Sequence, residues 1–521
     1  MKSFTMRVIA MLAFFLPSIV NAAATPKGID QAIESFVLPI TDAVAKTVFS
    51  AVSIGGIEVP LILGWLIAIA LFCTFYFRFI NFRGFLIGFR LIRGDYSDGS
   101  SDGETSHFQA LATALSGTVG LGNIAGVALA IYLGGPGAAF WMIVAGVLGM
   151  ASKFCECTLG VKYRQVNADG TISGGPMYYL SRGIAEEYPK LAPLGKALGF
   201  VFALFCIGGA IGAGNLFQSN GMMQALMLIT GGEEASPLRD YGWLFGLVLA
   251  LLVGIVIVGG MKKIASVTDK LVPLMAAIYL LGGLVVIAAN IEHLPDAIMT
   301  IINGAFTTQG IAGGAVGVLL IGFRRAAFSN EAGIGTAAIA HSTVKTKHPI
   351  TEGLVATWEP FIDTVIICTM SALVIVISGV ATVPGAGPNG VALTAAAFGS
   401  AVSWFPYVLA IAVFLFGYST MISYAYYGER AAMYLFGNNK TVSTIYKFIF
   451  ILATPIGTIV SFARLADFSD AVYFLMAIPN VIGMYLLAPV VKRELADFMQ
   501  KLKSGEIKNV RVAPNELMGS P

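Results

Sequence analysis

Between residues 59 and 490 the chain alternates long apolar runs with short polar ones. A helix needs about 20 mainly apolar residues to cross the hydrocarbon of a bilayer. Runs of that length are predicted near 59–79, 107–133, 138–161, 197–228, 241–260, 268–289, 311–340, 357–380, 402–435, 445–462 and 468–490. The pattern therefore predicts an all-α polytopic membrane protein with about eleven spans. Ahead of them, 24–56 forms a modest amphipathic stretch, expected outside the membrane and near its surface.

Two runs carry an interruption that apolar helices normally lack. Ser116-Gly117-Thr118-Val119-Gly120-Leu121-Gly122-Asn123 breaks the second span, and Ser329-Asn330-Glu331-Ala332-Gly333-Ile334-Gly335-Thr336 breaks the seventh. Five spans begin with each broken one. Five is odd, so the two sets cross the membrane in opposite senses, and paired breaks of this kind point to the inverted repeat of a secondary transporter. The division expected is an additional helix at 57–81, a first repeat at 107–289, a second at 297–490 and a tail at 491–521.

Composition sharpens the class. Hydrophobic residues make up 57% of the 521 residues and charged ones 12%, against roughly 25% in soluble domains. Such a chain has too little polar surface to stay in water. The net charge of +3 gives no support to nucleic acid as a partner. At the N-terminus, Lys2 and Arg7 precede an apolar run and then small residues at 21–24, the layout of a signal peptide over 1–23. An uncleaved anchor helix is the alternative. Starting outside, the first span delivers Arg83, Arg90 and Arg93 to the cytoplasm. Lys162, Arg164 and Arg182, then Lys262 and Lys263, Lys345 and Lys347, Lys440 and Lys447, and the tail with Lys492 and Arg493 fall on the same side. Positive loops stay inside, so the chain is expected in a bacterial inner membrane with its N-terminus outside and its C-terminus cytoplasmic.

The breaks carry the candidate chemistry. A helix interrupted in hydrocarbon frees N–H and C=O groups that cost several kcal/mol each if unpaired. The N–H groups of Gly120, Leu121 and Gly122 can meet a carboxylate at the start of the resumed half-helix. Carbonyls of Ser116 and Val119, with the hydroxyls of Ser419 and Thr420, offer oxygens to a small hard cation such as sodium; gluing helices together is the other role open to such hydroxyls. Asn123 and Gln218 can donate and accept at once, toward a solute or toward another helix. Glu331, with Gly333 and Gly335 around it, can support the break or gate, and Arg325 and Arg324 are costly enough in a span to suggest function. Lys153 and Glu156 can pair at i and i+3, whereas Glu359 and Asp363 are like-charged neighbours that need other partners. The glycines at 208, 209, 212 and 214 suit close helix packing. All five cysteines lie in predicted spans, so no disulfide is expected, and the four histidines show no metal spacing. No phosphate-binding lysine motif is present, so ATP is not an expected partner, and no catalytic triad or paired-carboxylate arrangement is evident, so no enzyme is expected. An ion channel and a membrane-embedded sensor are the rival classes.

These residues also resemble a known family. Gly117-Thr118-Val119-Gly120-Leu121-Gly122-Asn123-Ile124-Ala125-Gly126-Val127, Gly174-Gly175-Pro176-Met177-Tyr178-Tyr179, Phe328-Ser329-Asn330-Glu331-Ala332-Gly333 and Tyr426-Tyr427-Gly428-Glu429-Arg430 look like the signatures of the alanine or glycine:cation symporters, also called sodium:alanine symporters. That family is similar in fold to the leucine-transporter type of the amino acid–polyamine–organocation superfamily. The resemblance implies symport of a small neutral amino acid with sodium, without a cofactor; a proton as coupling ion, or glutamine, D-alanine or D-serine as substrate, are the alternatives. It implies a pocket at Thr118, Asn123, Gln218 and Thr420, and a sodium site completed by Ser419 and Thr420. Tyr424 departs from the family pattern, which commonly has tryptophan there, so a preference for substrate size or handedness does not carry over.

Overall fold

The computed structural model describes residues 46–54, 57–96, 101–306, 314–380, 390–460 and 462–507. The expected signal peptide, most of the amphipathic segment, nearly all of the external loop before 390 and the end of the tail lie outside these residues. The described residues are almost wholly helical, with two short antiparallel hairpins among them at Ala51–Ile54/Ile57–Pro60 and Gln165–Val166/Ile172–Ser173.

The main helices run in order as α1 (Leu61–Tyr76), α2 (His107–Thr118), α3 (Ala125–Gly134), α4 (Gly137–Lys162), α5 (Ala192–Ile211), α6 (Phe217–Ile229), α7 (Gly242–Ile257), α8 (Gly260–Ala289) and α9 (Leu294–Ala305). There follow α10 (Gly314–Asn330), α11 (Ala337–His341), α12 (Pro349–Ala356), α13 (Thr369–Ile377), α14 (Gly390–Ala401), α15 (Phe405–Phe436), α16 (Lys440–Gly457), α17 (Phe462–Leu475) and α18 (Ala477–Lys503). Among the described residues, seven helical stretches are long and apolar enough to span a membrane, and the bent pair α2–α3 makes an eighth. The shorter α1, α10 and α16 stand at the remaining expected spans.

Both interruptions are real breaks. At the first, α2 stops at Thr118, one tight turn covers Leu121–Asn123, and α3 resumes at a bend of 60°. At the second, α10 ends at Asn330 and the helix resumes only at Ala337. Glu331 there adopts a left-handed φ of 59°, rare for a residue with a side chain. Gly333 and Gly335 follow with φ of 86° and 99°, a range glycine enters without steric cost. Close packing supports the second break, since a Cβ on Gly335 would stand 2.6 Å from Pro176 and 3.0 Å from Asn480.

The glycine run around 208–214 packs as small-residue runs do. A Cβ at Gly208 or Gly209 would stand 2.8 Å from Val472 or Met476, and one at Gly214 would collide with Tyr424. α5 and the π-helical turn after it (Gly212–Leu216) thus lie flush against α15 and α17. One element was not foreseen: α14 fills what reads as an outer loop. Its Thr394 hydroxyl donates to the Ile124 carbonyl at 3.2 Å, so α14 seats directly on the first break.

Gly335→Ala should lower the stability of the purified protein by about 1–3 kcal/mol, because it adds both backbone strain and a clash. Gly170→Ala, at φ 77° but in open space, should lose only the strain component. Thermal unfolding in detergent of the two variants beside the parent measures the difference.

Candidate binding chamber

The two breaks face one another across a small chamber. Gly117, Thr118, Gly120 and Gly122 line it from the first, Phe328 and Glu331 from the second, Ala213 and Gln218 from the α5–α6 arm, Thr420 and Tyr424 from α15, and Tyr473 from α17. The space among these atoms is about 270 Å³, counting the part open to solvent. Of the residues singled out from sequence, Thr118, Gly120, Gly122, Gln218, Thr420, Tyr424 and Glu331 meet here.

The freed main-chain groups have identifiable partners. Gly120 N–H donates to Asn123 Oδ1 at 2.9 Å, and Leu121 N–H donates to Gln218 Oε1 at 3.3 Å. Gln218 Nε2 in turn donates to the Ala213 carbonyl at 3.1 Å, within the π-helical turn. The Asn123 carbonyl accepts from Ser371 at 2.6 Å. The Leu121 side chain points away from the chamber, against Gly221. Gly120 is the tightest point: a Cβ there would lie 2.6 Å from Thr420 Oγ1 and 3.2 Å from Gln218 Oε1.

Asn123 is placed differently from the others. Its amide nitrogen donates to Asp363 Oδ1 at 2.6 Å and to the Asp363 carbonyl at 3.1 Å. The other Asp363 oxygen accepts from Ser329 at 2.8 Å and Thr364 at 2.7 Å. Asp363 sits in the π-helical stretch Phe361–Cys368, beside its chain neighbour Thr364. The cluster ties the first break to the second through Ser329, beside the chamber wall.

The oxygen-rich side lies between α2 and α15. Ser419 Oγ donates to the Ser116 carbonyl at 3.3 Å and to the Phe416 carbonyl at 2.8 Å, and Thr420 Oγ1 donates to Phe416 at 3.1 Å. A hydroxyl that spends its proton this way keeps lone pairs for a cation. Val119 is buried beside them, its N–H on Leu115 at 2.7 Å. Ser423, one turn beyond Ser419, meets Ser116 Oγ and donates to Thr113 at 3.0 Å. The i+4 spacing from Ser419 was its signal in the sequence.

Above and below the chamber stand charged contacts. Arg324 and Arg325 both reach Asp470 on α17, Arg324 at 2.7 Å, one turn from Phe328 and Tyr473. Those two rings pack at 5.3 Å and form a layer between the ion pair and the chamber. Glu331 accepts from Tyr424 and Thr336 hydroxyls, so α15 is fastened to the second break. Gly333 and Gly335 lie behind it, with the Gly333 carbonyl accepting from Asn480 at 2.9 Å. Asp470 has no counterpart in the residues picked from sequence, because its partners are some 145 positions away.

The family profile described as "Sodium:alanine symporter family" matches residues 42–512. The sodium/alanine symporter AgcS of Methanococcus maripaludis is 38% identical over 452 residues, covering 86% of this chain and 96% of the relative. The probable sodium/glutamine symporter GlnT of Bacillus subtilis is 34% identical over 443 residues, 85% and 88% of the two chains. Among solved structures, MhsT in complex with L-phenylalanine aligns with a TM-score of 0.50 at 14% identity, over 76% of this chain and 99% of that one. At that identity the likeness speaks for the fold, which is of the leucine-transporter type.

Asn123→Asp should place two carboxylates at hydrogen-bond distance and destabilise the protein by about 3 kcal/mol. Exchanging the pair, Asn123→Asp with Asp363→Asn, restores one donor facing one carboxylate and should recover most of the loss. Thermal unfolding of single and double variants reads the coupling; equal losses in both would show that the contact is not what holds the break.

Proposed function

The chain belongs to the sodium:alanine symporter family, and from that premise we propose that it carries alanine or glycine inward together with sodium. The observation that carries this reading is the chamber walled by both broken helices, where main-chain donors, hydroxyls and one carboxylate converge. The solute's carboxylate meets the N–H groups of Leu121 and Gly122, at the positive end of the resumed half-helix, and Gly120, its own N–H on Asn123, gives it close approach to the backbone. Gln218 gives up its bond to Leu121 and turns toward the solute. The ammonium group faces Glu331 and the hydroxyls of Thr118 and Thr420. With Tyr424 closing the far wall, little room remains for a long side chain, which favours alanine or glycine over glutamine. Asn123 acts by holding the break in shape through Asp363.

Sodium takes the carbonyls of Ser116 and Val119 with the hydroxyls of Ser419 and Thr420. Oxygen donors alone suit a hard cation. Because the site joins α2 to α15, a bound ion pulls the first broken helix against the long helix and completes the solute pocket. The helices around the breaks then rock against the rest, with Arg325, Asp470 and the Phe328–Tyr473 layer closing the outer side. The protein sits in the inner membrane with its positive loops in the cytoplasm. At about 100 mV each positive charge carried inward releases roughly 2.3 kcal/mol, and 1.4 kcal/mol is a tenfold concentration ratio.

Purified protein in liposomes should take up labelled L-alanine or glycine in a saturable manner when sodium is high outside. Uptake that ignores sodium and follows a pH gradient would remove the sodium assignment, and preference for L-glutamine would replace the substrate. Gly120→Ala should reduce uptake by at least about tenfold, 1.4 kcal/mol in the rate or affinity, with insertion intact. Gly122→Ala should be milder, since its Cβ would lie 3.4 Å from Ser329, an ordinary contact.

A further inference from the structure

Beneath the chamber, a line of ionisable side chains runs through the protein interior with almost no exposure. It starts at His107, at the end of α2 that the positive loops place in the cytoplasm. His107 Nδ1 lies 2.5 Å from Glu352 Oε2, and Glu352 Oε1 lies 2.6 Å from His341 Nδ1. The other nitrogen of His341 stands 3.5 Å from Glu359 Oε2, and Glu359 Oε1 accepts from Lys153 at 3.1 Å. Lys153 also faces Glu156 at 3.7 Å. Side-chain exposure is 5% at His107 and 0% at the other five.

The line reaches the chamber wall through the second break. Asn480 joins the second Glu156 oxygen, at 3.0 Å, to the Gly333 carbonyl of the break. Glu331, two positions before Gly333 in that break, lines the chamber. Cys157 stands beside Lys153 and Glu156, Tyr427 on α15 faces Glu331 and Glu359, and Arg164 closes the outer end near Glu352 with its guanidinium on the Ser342 and Val344 carbonyls.

Charge counting makes this column unusual. Glu156, Glu331, Glu352 and Glu359 are four carboxylates against one ammonium, Lys153, with Arg164 at the rim. Burying that excess uncompensated is costly, so protons must be held among the carboxylates and the two imidazoles. Histidine is the side chain suited to gain and lose one near neutral pH. His341 has a carboxylate on each ring nitrogen, so a proton taken at Nδ1 from Glu352 can be matched by one given from Nε2 to Glu359, with no net charge created.

We propose that this column is a proton-binding site linked to the chamber: filling the chamber beside Glu331 with sodium and an ammonium group expels a proton along Glu359, His341, Glu352 and His107 to the cytoplasmic side. By reciprocity the same proton, when it binds, weakens the hold on the cargo. Cytoplasmic acid thereby favours unloading. The inference rests on the symport reading for what fills the chamber, and on the residues above for the proton.

The test uses the purified full-length protein in weakly buffered detergent with a pH-indicator dye. Adding sodium with L-alanine, glycine or L-glutamine should release about one proton per ligand bound, and affinity should fall about tenfold from about pH 8 to about pH 6. His341→Asn, and separately Glu352→Gln or His107→Asn should the first fold poorly, should bind ligand with no release and a flat pH profile. Wild-type binding with no proton released and no pH dependence overturns the column while leaving symport standing. Should none of the three amino acids bind, the symport reading fails, and the proton site is decided alone by magnetic resonance of isotope-labelled histidine. A His341 imidazole that changes charge between about pH 5 and about pH 9 supports the site; one that keeps a single state throughout overturns it.

Discussion

A peptide group in hydrocarbon has no water to bond, so every N–H and C=O exposed by a helix break must be met from within the protein. The architecture follows from meeting that demand twice. At the first break the donors go to Asn123 and Gln218, and the carbonyls of Asn123 and Ile124 go to Ser371 and Thr394. At the second, Asn330 accepts from Ala332 N–H at 3.0 Å and Asn480 supplies the Gly333 carbonyl. Gln218, Ser371, Thr394 and Asn480 come from helices distant in sequence, and bringing them together places the two breaks side by side.

The buried charges obey the same requirement at greater energetic stake. Lys153, Glu156, Glu352, Glu359, His107 and His341 all belong to the broken helices or their immediate neighbours, two segments from each half of the chain. Their mutual bonds hold those segments as a unit. Links to the surrounding helices run from the same unit: Tyr424 to Glu331, Asn480 to Glu156, Arg325 to Asp470, and Ser419 and Ser423 to α2. In the alternating access proposed above, these are the contacts a movement of the unit has to exchange, since packed interfaces switch between discrete arrangements more readily than cores deform.

Much of this was legible from residue order, for reasons that are local. Apolar length gave the spans, and glycine with polar residues in mid-run marked both breaks. Lys153 and Glu156 declared themselves by spacing, although the nearer partner of Lys153 proved to be Glu359, 206 positions on. What stayed hidden depends on distant pairing. His107 and His341 were two of four histidines without metal spacing, and only the fold sets both on Glu352. Asp363 was a charge in search of a partner until the π-helical turn carried it to Asn123. α14 escaped notice because its apolar run is too short to span, yet its place on Ile124 makes it part of the wall.

The two donors at the first break are not equivalent, and the difference bears on how the site is entered. Gly120 N–H is held at 2.9 Å by Asn123, a side chain three residues away and itself pinned by Asp363. Leu121 N–H is held at 3.3 Å by Gln218, which comes from another helix and whose only further anchor among the described residues is the Ala213 carbonyl. Longer hydrogen bonds are weaker, and a partner carried by a separate arm can withdraw without unravelling the turn. In the proposed reading Asn123 therefore preserves the bend whether or not the chamber is filled, and Gln218 is the group a solute displaces. The π-helical turn that carries Ala213 ends two positions before Gln218, and the same turn packs Gly214 against Tyr424. Tyr424 donates to Glu331, so in that reading the withdrawal of the Gln218 amide has a path of direct contacts from one break to the other.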